Sequence, residues 1–334
     1  MVCFTGVDRV EVQRRPMPAP GPGEVLIRTS HSLISTGTEL LVLAGRGWSP
    51  LGTKLTELPH VGHCNAGTVV DVGDAVDRAW VGRRVATQGY HARFVTCAVA
   101  PSRDNWRSGV FAIPDGVSSA DATVMSLAIT AMHGLRRARL TWGESVAVAG
   151  LGLLGHLVVR LAAIAGATPI HGLSRSEERL AWLPRRPNIA GACVDLTRPS
   201  PRDPVDVVFE TTGEPAAISG ELALVRPGGR LVVLSSPGGS SSLDLHALCE
   251  VPSRSIIGVH VSSIPLHPTL DDPWALPAYV QLFFRYLVEQ ALVVSDLITF
   301  AVPGTDAADA YRMLARREQP VLTALLTWDG VARS

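Results

Sequence analysis

The chain has few cysteines, no net charge and no long apolar run, and each shortage removes a class of function. Its five cysteines, Cys3, Cys64, Cys97, Cys193 and Cys249, are scattered with no CxxC pair. That spacing argues against a disulfide framework and a cysteine-rich zinc lobe, and it predicts a reduced, cytoplasmic chain. The balance of 30 Lys+Arg against 30 Asp+Glu leaves no electrostatic footprint for nucleic acid or an anionic membrane. No stretch reaches the roughly 18 uninterrupted apolar residues of a membrane-spanning helix. The opening MVCFTGVDRVEVQRRP lacks the apolar core of a signal peptide. Aromatics are scarce at 5%, but hydrophobic residues make up 46% of 334 residues. That is enough for a sizeable core, in two domains or one large one.

Residues 1 to about 118 read as short strands punctuated by glycine and proline. The run Pro16-Met17-Pro18-Ala19-Pro20-Gly21-Pro22-Gly23 cannot sit in a central strand, because proline removes ladder donors. Strands are expected at Glu24–Thr29, Gly67–Gly73, Arg83–Ala86 and Ala92–Thr96, a pattern of a small barrel or partly open sheet. From Ser118 the character changes. Ser118-Ser119-Ala120-Asp121 resembles a capping box opening a helix through Leu135. Strands at Ser145–Ala149, Thr168–Leu173, Val205–Phe209, Arg230–Leu234 and Ser255–Val261 then alternate with helices, as in a doubly wound parallel sheet. After Pro265 helices are expected around Ala275–Gln290 and Ala307–Arg317, and a last strand at Val321–Trp328.

Gly150-Leu151-Gly152-Leu153-Leu154-Gly155 is a G-x-G-x-x-G between an expected strand and an apolar helix. In that context the first glycine makes the turn, the second lets a pyrophosphate approach the backbone, and the third packs helix on strand. An NAD enzyme usually follows with an Asp or Glu about 20 residues on. Here Ser174-Arg175-Ser176 occupies that place, with no carboxylate before Glu177. Arg175 suits a 2′-phosphate that a carboxylate would repel, so the expected cofactor is NADP(H).

Other phrases complete the pattern: Pro20-Gly21-Pro22-Gly23-Glu24-Val25-Leu26-Ile27, His63-Cys64-Asn65-Ala66-Gly67-Thr68-Val69-Val70, Ile113-Pro114-Asp115-Gly116 and Pro227-Gly228-Gly229. Together they resemble the medium-chain dehydrogenase/reductase superfamily, the alcohol dehydrogenase-like proteins. Ile34-Ser35-Thr36-Gly37-Thr38-Glu39 is similar to the ISxGTE variant of one branch. The resemblance covers nearly the whole chain. It implies an α/β protein with a GroES-like catalytic domain at 1–118, a Rossmann domain with a doubly wound sheet at 119–264, and a return to the catalytic domain at 265–334. It also implies a homodimer or tetramer, and an active site in a cleft between the domains. In the Rossmann part Thr211, Thr212 and Gly213 match the family's loop next to the cofactor. Leu153 and Leu154 belong to the glycine turn itself, and Ser235 and Ser236 end the next strand, where they are placed to meet the nicotinamide ribose because ligands bind outside the carboxyl ends of such strands.

Many members of that superfamily hold a catalytic zinc. Carried over by position, the ligands fall at Thr36, at His63 with Cys64 as neighbour, and near Ser126. Hydroxyls are poor substitutes for thiolates and carboxylates, so the chain resembles a zinc-independent member with no metal residues. Proton transfer then falls to side chains, with Thr38, His63, His91 and Glu39 as candidates, and Trp48 lies on a loop suited to wall a pocket. The expected activity is hydride transfer between NADP(H) and a polar small-molecule carbonyl or alcohol, such as a sugar, cyclitol or secondary-metabolite intermediate. The alternatives are reduction of an activated C=C or C=N bond, and a non-catalytic NADP(H) sensor.

Overall fold

A computed structural model describes residues 1–46, 58–197, 203–270, 272–316 and 320–329. The chain divides into two compact units, residues 1–126 with 265–334, and residues 127–264. Trp48 lies outside the described residues.

The first unit is built on strand Glu24–Leu33, whose inward residues Val25, Ile27 and Leu33 are wholly buried. Its two halves have different neighbours. Residues 24–28 pair with Phe94–Ala98, while residues 31–33 pair with the late strand Ala324–Thr327, both antiparallel. Asn65–Val72 runs along its whole length, with register shifts at Leu26/Ile27 and Thr29/His31 that curl the sheet. Arg84–Thr87 and Phe111–Ala112 continue beyond it. Helix Thr38–Leu43 and helix Ala307–Arg316 place Val42, Leu43, Tyr311 and Leu314 on a core with Phe4 and Trp328. The Thr38–Leu43 helix is not apparent in the hydrophobic pattern, since it lasts only six residues.

Ser118 does cap a helix, accepting the Asp121 N–H at 2.9 Å, but the expected helix is two pieces, Ser119–Ala122 and Met125–Arg137. Between them the Thr123 hydroxyl donates to the Ala120 carbonyl at 2.6 Å, a local bond that competes with the helical ladder.

The second unit is a six-stranded sheet in the spatial order Ile189–Cys193, Ile170–Ser174, Val146–Ala149, Val205–Glu210, Val225–Val233 and Ser255–Gly258. All neighbours are parallel, which is the 3-2-1-4-5-6 order of a doubly wound dinucleotide fold. Val146–Ala149 is buried on both faces, so it reads as a continuous apolar run. Ile189–Cys193 is a strand absent from the sequence reading. It is a mostly exposed edge strand, and its Ala-Gly-Ala core has none of the β-branched or aromatic residues that signal a strand. Among the described residues no helix is long and apolar enough to cross a membrane.

Candidate active site

Parallel register decides which residues share the upper edge of the second unit's sheet. Ala149 pairs with Leu173 and Glu210, and Glu210 pairs with Val233. Gly150, Ser174, Thr211 and Leu234 therefore leave the sheet side by side, with Ser235 one residue beyond Leu234. Strand order reverses between Val146–Ala149 and Val205–Glu210, and ligands of open α/β sheets bind outside such a switch point.

The glycines fit this crevice for distinct reasons. Gly150 has φ +91, and a Cβ there would stand 2.9 Å from the Thr211 and Thr212 backbone. A Cβ on Gly155 would meet the Gly150 carbonyl at 1.9 Å, so this glycine lets helix Leu153–Ile164 start against the turn. At Gly152 a Cβ would meet nothing within 4 Å. That open space lies at the helix N-terminus, where the first-turn amides of Leu153 and Leu154 favour an anion. The residues fit the diphosphate of a dinucleotide.

The flanking loops are fixed by a residue not singled out in the sequence, Glu210. Its buried carboxylate accepts the Thr212 and Gly213 N–H groups at 2.7 and 2.8 Å, the Thr212 hydroxyl at 2.8 Å and the Ser235 hydroxyl at 2.5 Å. The signal for it was a lone acidic residue closing an apolar strand. Thr211 donates to the Gly150 carbonyl at 2.6 Å, tying one loop to the other. Ser236 is exposed. At the end of the neighbouring strand, buried Ser174 accepts the Ser176 N–H at 3.1 Å, and Arg175 is exposed to solvent.

In the first unit, Glu39, His63 and His91 come together. Glu39 is buried and its carboxylate accepts from the Ser35 N–H at 3.1 Å, from His91 Nε2 at 3.1 Å and from the Tyr311 hydroxyl. His63 Nδ1 stands 3.8 Å from Glu39 Oε1, an ion-pair distance too long for a hydrogen bond. Burial alone would raise the Glu39 carboxyl, but electrostatic interaction with His91, the His91 hydrogen bond, a smaller interaction with His63 and the Tyr311 bond hold it below the usual range. Tyr311 moves the other way: burial and the neighbouring Glu39 push its phenol well up, so it stays a donor.

His91 lies on a loop but is fully buried. With the Glu39 carboxylate as acceptor, Nε2 carries the hydrogen of that bond. Nδ1 lies 2.8 Å from the Ser32 hydroxyl, and Ser32 itself accepts the Trp328 indole N–H at 2.9 Å. Ser32, Tyr311 and Trp328 were not identified from the sequence. Thr38 begins its helix with its side chain exposed, one residue before Glu39.

His63 is the most accessible member of this group, with its side chain 15% exposed. Burial pulls its imidazole down to about 4, with Glu39 opposing and Arg107 and His91 adding to the drop. Its neighbour Cys64 is wholly buried, and burial with the Glu39 charge pushes the thiol far up. A thiol held protonated in this way is not a nucleophile.

The donor set does not fit a catalytic zinc. Thr36 offers a hydroxyl whose neighbour is the Leu322 carbonyl at 3.5 Å, and Ser126 a hydroxyl bonded by Gln88 Nε2 at 3.4 Å. Among the described residues no group of three or more His, Cys, Asp or Glu side chains is placed to hold a metal ion.

Comparison with known proteins agrees with this architecture. Residues 21–127 match the family model of the alcohol dehydrogenase GroES-like domain, and residues 154–274 that of the zinc-binding dehydrogenases. An L-threonine 3-dehydrogenase of Pyrococcus abyssi is 26% identical over 291 residues, covering 76% of this chain and 79% of that protein. The sorbitol dehydrogenase of Bacillus subtilis is 27% identical over 259 residues, covering 68% and 72%. Among solved structures, acetophenone reductase from Geotrichum candidum in complex with NAD superposes with a TM-score of 0.79 at 19% identity, covering 99% of this chain and 97% of that one.

Proposed function

The chain belongs to the medium-chain, alcohol dehydrogenase-like superfamily, and from that premise we propose that it is an NADP(H)-dependent oxidoreductase that works without zinc. Its reaction is hydride transfer between the nicotinamide and a polar small-molecule alcohol or carbonyl. The observation that carries this reading is the His63 group: an imidazole facing a buried, fully bonded carboxylate, with no group of three or more His, Cys, Asp or Glu side chains among the described residues placed to hold a metal ion.

When bound, the nicotinamide supplies or accepts the hydride; everything else falls to side chains. The Leu153–Ile164 helix start and the Gly152 opening hold the diphosphate, and Arg175 pairs with the 2′-phosphate while Ser174 and Ser176 shape the same turn. Thr211, Thr212, Gly213 and Ser235, held by Glu210, shape the neighbouring wall, which Ser236 extends. His63 takes the alcohol proton at Nε2, because Nδ1 faces Glu39. Glu39 acts through His63, favouring its Nδ1–H tautomer and the imidazolium that forms, and His91 with Tyr311 and Ser32 positions Glu39. The exposed Thr38 hydroxyl passes the proton onward.

Fluorescence titration with NADPH and NADH tests the cofactor assignment. NADPH is expected to bind roughly tenfold tighter or better, the scale of one charge-assisted pair, and Arg175→Asp to remove that preference while leaving NADH binding. Equal affinities in the unaltered protein contradict it.

A further inference from the structure

Arg107 stands beside His63 in a setting that hydride transfer alone does not explain. The loop after strand Phe94–Ala98 is folded by Ser108, whose hydroxyl accepts the Ser102 N–H at 2.5 Å and donates to the Asn105 carbonyl at 2.6 Å. This turn brings Trp106 and Arg107 to the His63 loop. The guanidinium carbon lies 4.2 Å from the ring centroid of Tyr90 and 4.2 Å from that of Trp106. Nη1 donates to the Gly62 carbonyl and, at 3.2 Å, to that of Gln88. The Trp106 ring is 6.3 Å from the His63 ring, and the His60 ring lies 4.7 Å from that of Tyr90. The cation is therefore part of the wall around His63.

Two rings and two carbonyls hold this guanidinium but do not neutralise it. Among the described residues no carboxylate lies within ion-pair distance of Arg107, and its Nε and Nη2 have no hydrogen-bond partner. Glu39, whose charge Arg107 feels, is already committed to Ser35, His91 and Tyr311. Nε and Nη2 form one planar edge of the fork, which matches a carboxylate or phosphate with two parallel bonds. A partly desolvated cation with one fork edge open favours an anion over a neutral hydroxyl, because the guanidinium has only donors to offer and gains most from a charged acceptor.

We propose that Arg107 is a specificity-determining residue that takes the carboxylate or phosphate of an anionic alcohol, so that the substrate is a hydroxy acid or a polyol phosphate rather than a neutral polyol. This rests on the dehydrogenase reading and names its substrate class. The carbinol gives a hydride to the oxidised nicotinamide and its hydroxyl proton to His63, leaving a carbonyl. The anion on Arg107 takes no part in bond making and orients the carbinol at His63.

The test is steady-state oxidation with NADP of paired compounds that differ in the anion: 3-hydroxybutyrate against 1,3-butanediol, and sorbitol 6-phosphate against sorbitol. In at least one pair the anionic member is expected to exceed its neutral partner by about 100-fold in kcat/KM, mostly through KM, the scale of a charge-assisted bidentate contact. Which pair responds tells carboxylate from phosphate. Arg107→Gln is expected to bring the ratio near unity, and Arg107→Lys to keep part of it, with NADPH affinity unchanged in both. Neutral members turned over as well as the anions, or a ratio that survives Arg107→Gln, overturns the proposal.

A second measurement separates this from failure of the dehydrogenase reading. If none of the four compounds is oxidised, that reading fails on this panel, and thermal melting of the NADPH-loaded protein with acetate or inorganic phosphate, at constant ionic strength, decides the role of Arg107. A saturable rise in Tm that is lost in Arg107→Gln upholds it. No rise, or a rise that persists in the variant, overturns it.

Discussion

His63 is the residue on which the proposed chemistry turns, and its environment makes a signed prediction. Burial lowers its imidazole from 6.5 to about 4, with Glu39 opposing and Arg107 and His91 assisting. The ring is thus neutral and able to accept a proton across the physiological range. A pH profile of kcat/KM for alcohol oxidation should stay level on its acid side down to about pH 5 and fall with an apparent pKa near 4. His63→Gln should lower kcat about 100-fold or more and remove that limb. A limb at the ordinary histidine value of about 6.5 would show that another group takes the proton. Folding feels the same shift. Between 6.5 and about 4 the unfolded chain binds a proton that the native ring does not. The His63 contribution to stability is therefore present above 6.5 and is lost as pH falls through that window.

At the scale of elements, the turn from Val146–Ala149 into helix Leu153–Ile164 separates two kinds of glycine. Gly155→Ala puts a methyl 1.9 Å from the Gly150 carbonyl, so helix and turn must part; both Tm and NADPH affinity should drop. Gly152→Ala meets no protein atom. It should leave Tm nearly unchanged yet weaken NADPH about tenfold or more, since the methyl occupies the diphosphate approach. A thermal melt and a fluorescence titration of both variants check the pair.

Glu221, on helix Ile218–Ala223, is a second buried carboxyl beside Glu210. Burial first, then the Glu210 charge, raise it to about 9, against a weaker pull from Thr212. Its Oε2 has no hydrogen-bond partner. The native carboxyl keeps a proton that the unfolded one loses above about 4.5. Its contribution to stability is complete below 4.5 and is lost as pH rises toward 9. Glu221→Gln should therefore melt higher than the unaltered chain at pH 8–9, with the gap closing toward pH 5. A constant gap would mean that Glu221 does not titrate in this way.

Legibility also divides at this scale. The buried central strands were readable because both faces are apolar, and the glycine turn because strand, turn and helix follow one another in the chain. Strand Ile189–Cys193 was not, since an exposed Ala-Gly-Ala edge is held by its neighbour's ladder rather than by its own side chains.

At the scale of the whole molecule, the crevice at the carboxyl ends of the second unit's strands was legible because its residues directly follow apolar runs. The His63 group was visible only in part. Glu39, His63 and His91 stood out as polar residues in a recognisable phrase, but their orientation depends on Tyr311, 272 positions from Glu39, and on Trp328, 296 positions from Ser32. Such contacts exist only once residues 265–334 have packed back with residues 1–126, and no local pattern announces them. The same packing commits Glu39 to Ser35, His91 and Tyr311 and leaves hydroxyls at Thr36 and Ser126. On the proposed reading, the proton chemistry of this dehydrogenase framework runs on histidine and glutamate instead of a metal. Elemental analysis of the protein, purified without chelator from cells grown with added zinc, tests this directly. The expected result is zinc far below stoichiometric amounts; one zinc bound per chain would contradict it.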